Sequence, residues 1–353
     1  MSAPEIRIDQ LTGLRVLLAP GRAERPNDLP SAVGFPQITG KTNSGTADSC
    51  PFCEGNEGRT PPEVYATRPA GGEADSPGWT TRVVPNLFPA LAPAEEDARV
   101  PPELFVSRPA TGAHEVIVNA PEHATAMAEL DEAQFAAAVA TWRQRMRHHS
   151  TVGFPQIAGE TNSGARGGGA AYVQLIVNEG AGAGASLPHT HAQLYALPFV
   201  PASVARERER VGAYRESTGG NGLLEDVLVE EMRRGERLVA IDEEAALICP
   251  WASRSPYELR VIPRREAARF EEDDTGAEMI RTALRALAAR FGGSPELNLW
   301  VRTAPRGAES FHWHVDIAPR LSIKAAFEFA TGVDIVTYPP ERAAADLREA
   351  LTG

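Results

Sequence analysis

The chain has 353 residues, enough for one large core or two modest ones, and its 42% hydrophobic share excludes bulk disorder. No apolar run reaches the roughly 18 residues needed to cross a bilayer, and MSAPEIRIDQLTG lacks the basic-then-apolar order of a signal peptide. A formal net charge of -12 disfavours nucleic acid and anionic membrane as partners, while leaving room for a local basic pocket. The only cysteines, Cys50, Cys53 and Cys249, form no disulfide framework, which points to a reducing cytoplasm.

In chain order, the first unusual segment is VGFPQITGKTNSG (33–45), which returns at 152–164 as VGFPQIAGETNSG with two of thirteen positions changed. Its Gly, Pro, Asn and Ser content reads as exposed turns, and its near-identity reads as recent insertion. A paired binding loop is the competing reading. Cys50-Pro51-Phe52-Cys53 follows. Two thiolates at this spacing can grip a tetrahedral zinc ion, with a redox dithiol as the competitor. The loop-like EGNEGRTPPE after it is unlike the helix that redox pairs precede. Zinc needs two more ligands, and His114 and His189 are candidates, although either alone reads as a hydrogen-bonded structural histidine.

HEVIVNAPEH (114–123) alternates as a strand and ends in a turn. The spacing of Phe135, Val139, Trp142 and Met146 predicts a helix with one apolar face. AYVQLIVNEG (171–180) is a second strand. It leads through a glycine-rich run to PHTHAQLYALP (188–198). The second half repeats this order. YELRVIPRRE (257–266) is strand and turn, and Ile280, Leu284, Leu287 and Phe291 mark a helix. LNLWVRTAPRG (297–307) is a strand, and FHWHVDIAPRL (311–321) carries another H-x-H. One paired histidine could arise by chance; the same order twice reads as an internal duplication. The fold class expected is α+β: two tandem units, at 1–200 and 201–353, of antiparallel sheet backed by helices. PPERAAADLREAL predicts a final helix opened by proline. Cys249, in AALICPWA, reads as a small buried core residue.

Around His189-Thr190-His191-Ala192-Gln193 the residues two apart share a face of an extended segment. An imidazole can attack phosphorus and later leave, giving a two-step displacement, provided a neighbouring acceptor orients the ring. Gly182, Gly184 and Ser186 can bring N–H groups and a hydroxyl to phosphate oxygens, and Gln193 can donate its amide to them.

At these residues the chain resembles the galactose-1-phosphate uridylyltransferase family, a branch of the histidine-triad superfamily. LRVLLAPGRAERP (14–26), CPFCEGNEGRTPPE (50–63), RVVPNLFPAL (82–91), GAHEVIV (112–118) and NEGAGAGASLPHTHAQLYA (178–196) carry the likeness. It implies zinc bound by Cys50, Cys53, His114 and His189, and His191 as the nucleophile. It implies Gln193 and Ser186 as phosphate contacts, Gly184 in the phosphate loop, Asn86 and Asn178 as nucleotide contacts, and Arg22 and Arg25 near the substrate phosphates. The implied partners are a nucleotide sugar, a sugar 1-phosphate and a second copy in a homodimer. The implied activity is ping-pong transfer between UDP-glucose and a hexose 1-phosphate such as galactose 1-phosphate.

The sequence departs from the family in places. Thr190 and Ala192 stand where Pro and Gly are common, and Leu87 replaces an acidic residue. Glu207, His312 and His314 match three ligands of a second metal site in some members, but Arg302 stands at the fourth, which argues against a second metal. Val333 and Pro340 replace a Tyr and a Gln in the segment that reads the hexose, so the sugar stays open. A nucleotide-sugar or dinucleoside-polyphosphate phosphorylase of the same superfamily is the near alternative. A hydrolase is disfavoured because Gln193 stands where hydrolases carry a third histidine. A non-catalytic zinc-stabilised binding protein is the alternative of another class.

Overall fold

The alternating segments form strands whose apolar sides meet two amphipathic helices. The computed structural model describes residues 5–8, 15–18, 49–93, 105, 107–151 and 170–352. Arg22, Arg25 and the segments 33–45 and 152–164 lie outside the described residues.

Ten strands join edge to edge in the order β3 (Tyr65–Thr67), β4 (Thr81–Pro85), β6 (Ala113–Val118), β8 (His191–Leu197), β7 (Tyr172–Glu179), β12 (Leu297–Arg302), β13 (His314–Pro319), β11 (Leu259–Pro263), β10 (Ala245–Ile248) and β9 (Leu238–Ile241). Every pairing in this sheet is antiparallel. β1 (Glu5–Ile8) lies between β2 (Arg15–Leu18) and β5 (Ser107–Pro109) in a separate three-stranded sheet.

The duplication is visible in the strand order. β3-β4-β6-β8-β7 from the first half is mirrored by β9-β10-β11-β13-β12 from the second. The halves meet where β7 pairs with β12, with Asn178 opposite Asn298 and Val177 opposite Leu299. Two sheets were expected, and they are continuous. The proposed boundary near residue 200 falls between β8 and helix α2 (Ala202–Thr218), away from this seam.

Two helices lie on one face of the sheet. α1 (Glu132–Thr151) buries Phe135, Val139, Trp142 and Met146, and α4 (Ala277–Phe291) buries Ile280, Leu284 and Leu287, as the apolar spacing predicts. They pack with Leu175, Val177, Ala192, Leu194 and Leu299 in one core. Burying each Leu- or Phe-sized side chain contributes about 1.5–3 kcal/mol. The tail helix, α6 (Pro340–Thr352), packs Ala343, Ala344 and Leu347 into the same core. Two shorter helices, α3 (Leu223–Arg234) and α5 (Ala326–Thr331), complete the helical set of the described residues.

Alternation along each strand then decides what faces away from the helices. In β8, Ala192, Leu194 and Ala196 enter the core, so His191, Gln193 and Tyr195 face the other side. In β6, Glu115 faces α1. There it accepts from Arg145 Nη2 at 2.6 Å and pairs with His149 Nε2 at 2.9 Å. Burial alone would raise the Glu115 carboxyl, but the hydrogen bonds from His149 and Arg145 outweigh it and hold the group down to about 2. His114 and Val116 therefore share the face that carries His191.

Candidate active site

On that outer face lies a cavity of about 390 Å³, lined among others by His191, Gln193, Ser186, Asn86, Phe52 and Arg59. His191 is the first residue of β8, where the chain leaves a tight turn. Its Nδ1 lies 2.7 Å from the carbonyl oxygen of His189. A carbonyl can only accept, so Nδ1 carries the proton and Nε2 keeps its lone pair. The edge of Phe52 packs against the imidazole, with ring centroids 5.2 Å apart. An imidazole so fixed is suited to in-line attack on an electrophile in the cavity.

The glycine-rich run folds as a 3-10 turn, Ala181–Ala183, closed by Gly184 in the left-handed region at φ 89°. Its N–H groups are already used within the protein. Those of Ala183 and Ala185 donate to Gly180 O, that of Gly184 to Ala181 O, and that of Gly182 to Glu296 Oε1. The expected cradle of N–H groups from Gly182 to Ser186 therefore narrows to Ser186, which lines the cavity and makes no hydrogen bond to a described residue. Asn178 and Gly184 do not line the cavity. Asn178 Oδ1 accepts from Asn298 Nδ2 at 2.8 Å, and the same amide donates to Ala183 O at 2.8 Å, so this pair braces the turn from behind.

Asn86 does line the cavity, its Oδ1 accepting from Phe88 N–H at 2.9 Å. Gln193 Oε1 receives the Tyr195 hydroxyl at 3.1 Å and lies 3.1 Å from His114 Nε2.

A second cluster sits at the end of the same strands. One ligand atom each from Cys50, Cys53, His123 and His189 lies within 4.8 Å of the others. Cys53 Sγ is 3.3 Å from His123 Nδ1, and both sulfurs are 3.5 Å from His189 Nδ1. A tetrahedral zinc ion with bonds of about 2.3 Å to sulfur and 2.0–2.1 Å to nitrogen requires separations of about this size. His189 Nε2–H donates to Ala120 O at 2.9 Å, which turns the Nδ1 lone pair toward the sulfurs. The residues fit a closed metal site.

His114 is not in this cluster, and His123 takes the place expected for it. The reason is register. His114 pairs with Tyr195, whereas Val118, four residues further along β6, pairs with His191 beside the cluster. At about 3.3 Å per residue, His114 is left roughly 13 Å up-strand. His123 follows the turn after β6, where Pro121 O accepts Glu54 N–H at 3.1 Å and clips the cysteine loop to it.

The second half repeats the histidine frame. His312 Nε2–H donates to Pro263 O at 2.9 Å, as His189 does to Ala120, and His314 Nδ1 approaches His312 O at 3.3 Å. In the place of Gln193 stands Asp316. Burial would raise its carboxyl, but Arg260 and His314 hold it well below the carboxylate range. His314 Nε2 lies 3.7 Å from Glu207, which also faces Arg302 at 4.0 Å. Among the described residues only the Cys50–Cys53–His123–His189 group has metal-holding geometry. Burial pushes the Cys249 thiol up to about 12, in keeping with a core residue.

Three residues of the site were not singled out from sequence. His123 was visible only as the end of HEVIVNAPEH. Arg59 lies in the block after the cysteine pair, on a 3-10 turn at the cavity. Tyr195 stacks on His114 at 4.1 Å between ring centroids.

Residues 1–201 match the family model described as the N-terminal domain of galactose-1-phosphate uridyl transferase. The chain is similar to ADP-glucose phosphorylase of Arabidopsis thaliana, with 30% identity covering 98% of this chain and 93% of the relative. It is also similar to galactose-1-phosphate uridylyltransferase of Streptomyces lividans, at 28% over 88% of this chain and 81% of the relative. Among solved structures, an ADP-glucose phosphorylase from Arabidopsis thaliana with bound ADP-glucose superposes with a TM-score of 0.67 at 26% identity, covering 99% of this chain and 99% of that one. A uridylyltransferase structure shares the fold at a TM-score of 0.73 and 24% identity, covering 99% of this chain and 98% of that one. The chain is a nucleotidyltransferase of the galactose-1-phosphate uridylyltransferase family.

Proposed function

We propose that this chain moves a nucleotidyl group between sugar 1-phosphates through a covalent intermediate on His191, with UDP-glucose as donor and a hexose 1-phosphate such as galactose 1-phosphate as acceptor. The observation that carries this reading is the His191 ring itself, held by its Nδ1–H on His189 O in a cavity shared with Ser186 and Gln193. His191 Nε2 attacks the α-phosphorus. A P–N bond forms as the bond from that phosphorus to the bridging oxygen breaks, and sugar 1-phosphate leaves with the electron pair. A phosphate oxygen of the second sugar 1-phosphate then attacks the same phosphorus, and the P–N bond returns its pair to Nε2. Ser186 and the Gln193 amide bind the non-bridging oxygens, where charge grows in each transition state. Asn86 contacts the nucleoside. Arg22 and Arg25 serve the substrate phosphates in this proposal.

Cys50, Cys53, His123 and His189 would hold zinc. With four protein ligands the ion would supply a cross-link between the cysteine loop, the turn after β6 and the strand that begins with the nucleophile. A homodimer is part of the same reading. Ile323, Phe329, Val333 and Ile335 leave apolar side chains exposed on one C-terminal segment, which suits association with a second copy. The described residues contain no helix long and apolar enough to cross a membrane, and the three cysteines are buried and form no disulfide with one another, which suits a reducing cytoplasm.

A phosphorylase reading is favoured by one observation: the relative that matches 98% of this chain at 30% identity is an ADP-glucose phosphorylase. It keeps the His191 step and changes the base and the acceptor. Initial rates with UDP-glucose or ADP-glucose, each against galactose 1-phosphate or inorganic phosphate, test the choice. Parallel double-reciprocal lines with UDP-glucose and galactose 1-phosphate support the transferase. Turnover confined to ADP-glucose and phosphate replaces it with the phosphorylase.

A further inference from the structure

We infer that His114 is a positioning residue for transfer, acting by holding the Gln193 amide with its NH2 group toward the substrate phosphate. This rests on the nucleotidyl-transfer reading above.

The inference follows from which atoms can donate. The backbone N–H of Ala90 points at His114 Nδ1 at 3.1 Å. A backbone N–H can only donate, so Nδ1 must accept, and the ring proton is placed on Nε2. Nε2–H then needs an acceptor, and Gln193 Oε1 lies 3.1 Å away. The Tyr195 hydroxyl donates to the same oxygen from 3.1 Å. Both donors converge on Oε1, and because the hydroxyl could also accept, it is the His114 Nε2–H that forbids the flip, which would set the Gln193 NH2 against it. The Gln193 nitrogen is left toward the cavity, which Gln193 lines and where it makes no hydrogen bond to a described residue.

The same tautomer settles the neighbouring amide. Asn86 Nδ2 lies 3.2 Å from His114 Nε2, and Asn86 Oδ1 is occupied by Phe88 N–H. Because Nε2 carries a proton, Asn86 cannot donate to it, and its amide hydrogens remain for a ligand acceptor. The imidazole thus orients the Gln193 amide, while Phe88 N–H holds that of Asn86. The ring is itself held: it is buried, and it stacks on Tyr195 with an interplanar angle of 22°. Metal ligation would require a lone pair on one nitrogen facing the cysteines. Here Nδ1 faces Ala90 and Nε2 faces Gln193.

Two substitutions separate the ring's two contacts. His114→Asn places a polar atom near the position of Nδ1 and removes the group that reaches Gln193. His114→Gln places an amide nitrogen near the position of Nε2. The readout is the single-turnover rate of transfer from α-phosphate-labelled donor to protein, with metal content and thermal midpoint as controls for folding. We expect His114→Asn to slow transfer about 10- to 100-fold with metal retained, and His114→Gln to recover at least tenfold of that loss. In a Gln193→Ala background the further cost of His114→Asn should shrink to under about threefold, because the group it orients is gone. An undiminished cost in that background overturns the inference, as does a wild-type rate for His114→Asn. If His114→Asn does not fold, the cycle is run with His114→Gln, where a loss above tenfold that is independent of Gln193 overturns it. No labelling of wild-type protein would instead reject the nucleotidyl-transfer reading, so the two failures are distinguishable.

Discussion

Glu296 accepts the backbone N–H of Gly182 at 2.8 Å, so a residue from the second half of the chain fixes the turn that leads to Ser186 and His191 in the first. A Cβ on Gly182 would lie 2.2 Å from Glu296 Oε2, and one on Gly180 would lie 2.3 Å from Glu296 Cγ. Gly180 also sits at φ 86°, where side chains are strained. The two halves are thus joined at the glycine-rich turn as well as along the β7–β12 seam. Glu296→Ala should lower kcat/KM about 3- to 10-fold with little change in thermal midpoint, and Glu296→Gln, which keeps an acceptor, should restore most of it. Steady-state kinetics on both variants check this. An unaltered kcat/KM in Glu296→Ala means that the turn needs no brace.

The metal assignment separates two histidines that the sequence alone confused. His123→Ala should lose bound zinc and unfold at lower temperature, since metal binding and folding are linked. His114→Ala should keep a full complement of metal. Elemental analysis of both purified variants decides it, and metal loss from His114→Ala with retention in His123→Ala would reverse the assignment.

Glu179 supplies a pH dependence. Burial raises its carboxyl to about 7 against the Met127 N–H that donates to it, with Glu129 adding to the rise, and its second oxygen has no partner among the described residues. A carboxyl raised on folding binds its proton more tightly in the native state. Its stabilising contribution is present below the ordinary value of 4.5 and is lost as pH climbs through about 7. Glu179→Gln should therefore gain thermal midpoint relative to wild type as pH rises from 5 to 8. A difference that stays constant across that range would show that Glu179 does not titrate there.

The second paired histidine should matter little to chemistry. With Asp316 in the place of Gln193 and carboxylates on two sides of His314, an attacking phosphate group would be repelled. His314→Ala should retain transfer within about tenfold of wild type, whereas His191→Ala should abolish it. Equal losses would move the catalytic centre to the second half.

The duplication was legible because each half repeats two kinds of period, alternation in the strands and 3.6-residue spacing in α1 and α4. The placing of His191 and Gln193 in one cavity was legible because H-x-H-x-Q puts them on one face of one strand. What local pattern could not reveal depended on register between distant strands. His114 and His123 bracket the same segment, and only the pairing of Val118 with His191 decides which of them reaches Cys50 and Cys53. The continuous sheet was hidden for the same reason, since no local pattern announces that β7 pairs with β12. The glycine run suggested open N–H groups. Its closure as a 3-10 turn on Glu296 and Asn298 involves residues more than a hundred positions away.

The most direct measurement is to trap the intermediate. The protein is incubated with UDP-glucose, and separately with ADP-glucose, labelled in the α-phosphate, then denatured, digested and mapped by mass spectrometry. A label on His191 that is lost in acid, persists in base and is discharged by added sugar 1-phosphate or inorganic phosphate is the expected result. Turnover with no labelled peptide, or undiminished labelling and transfer in His191→Gly, would contradict covalent transfer through His191.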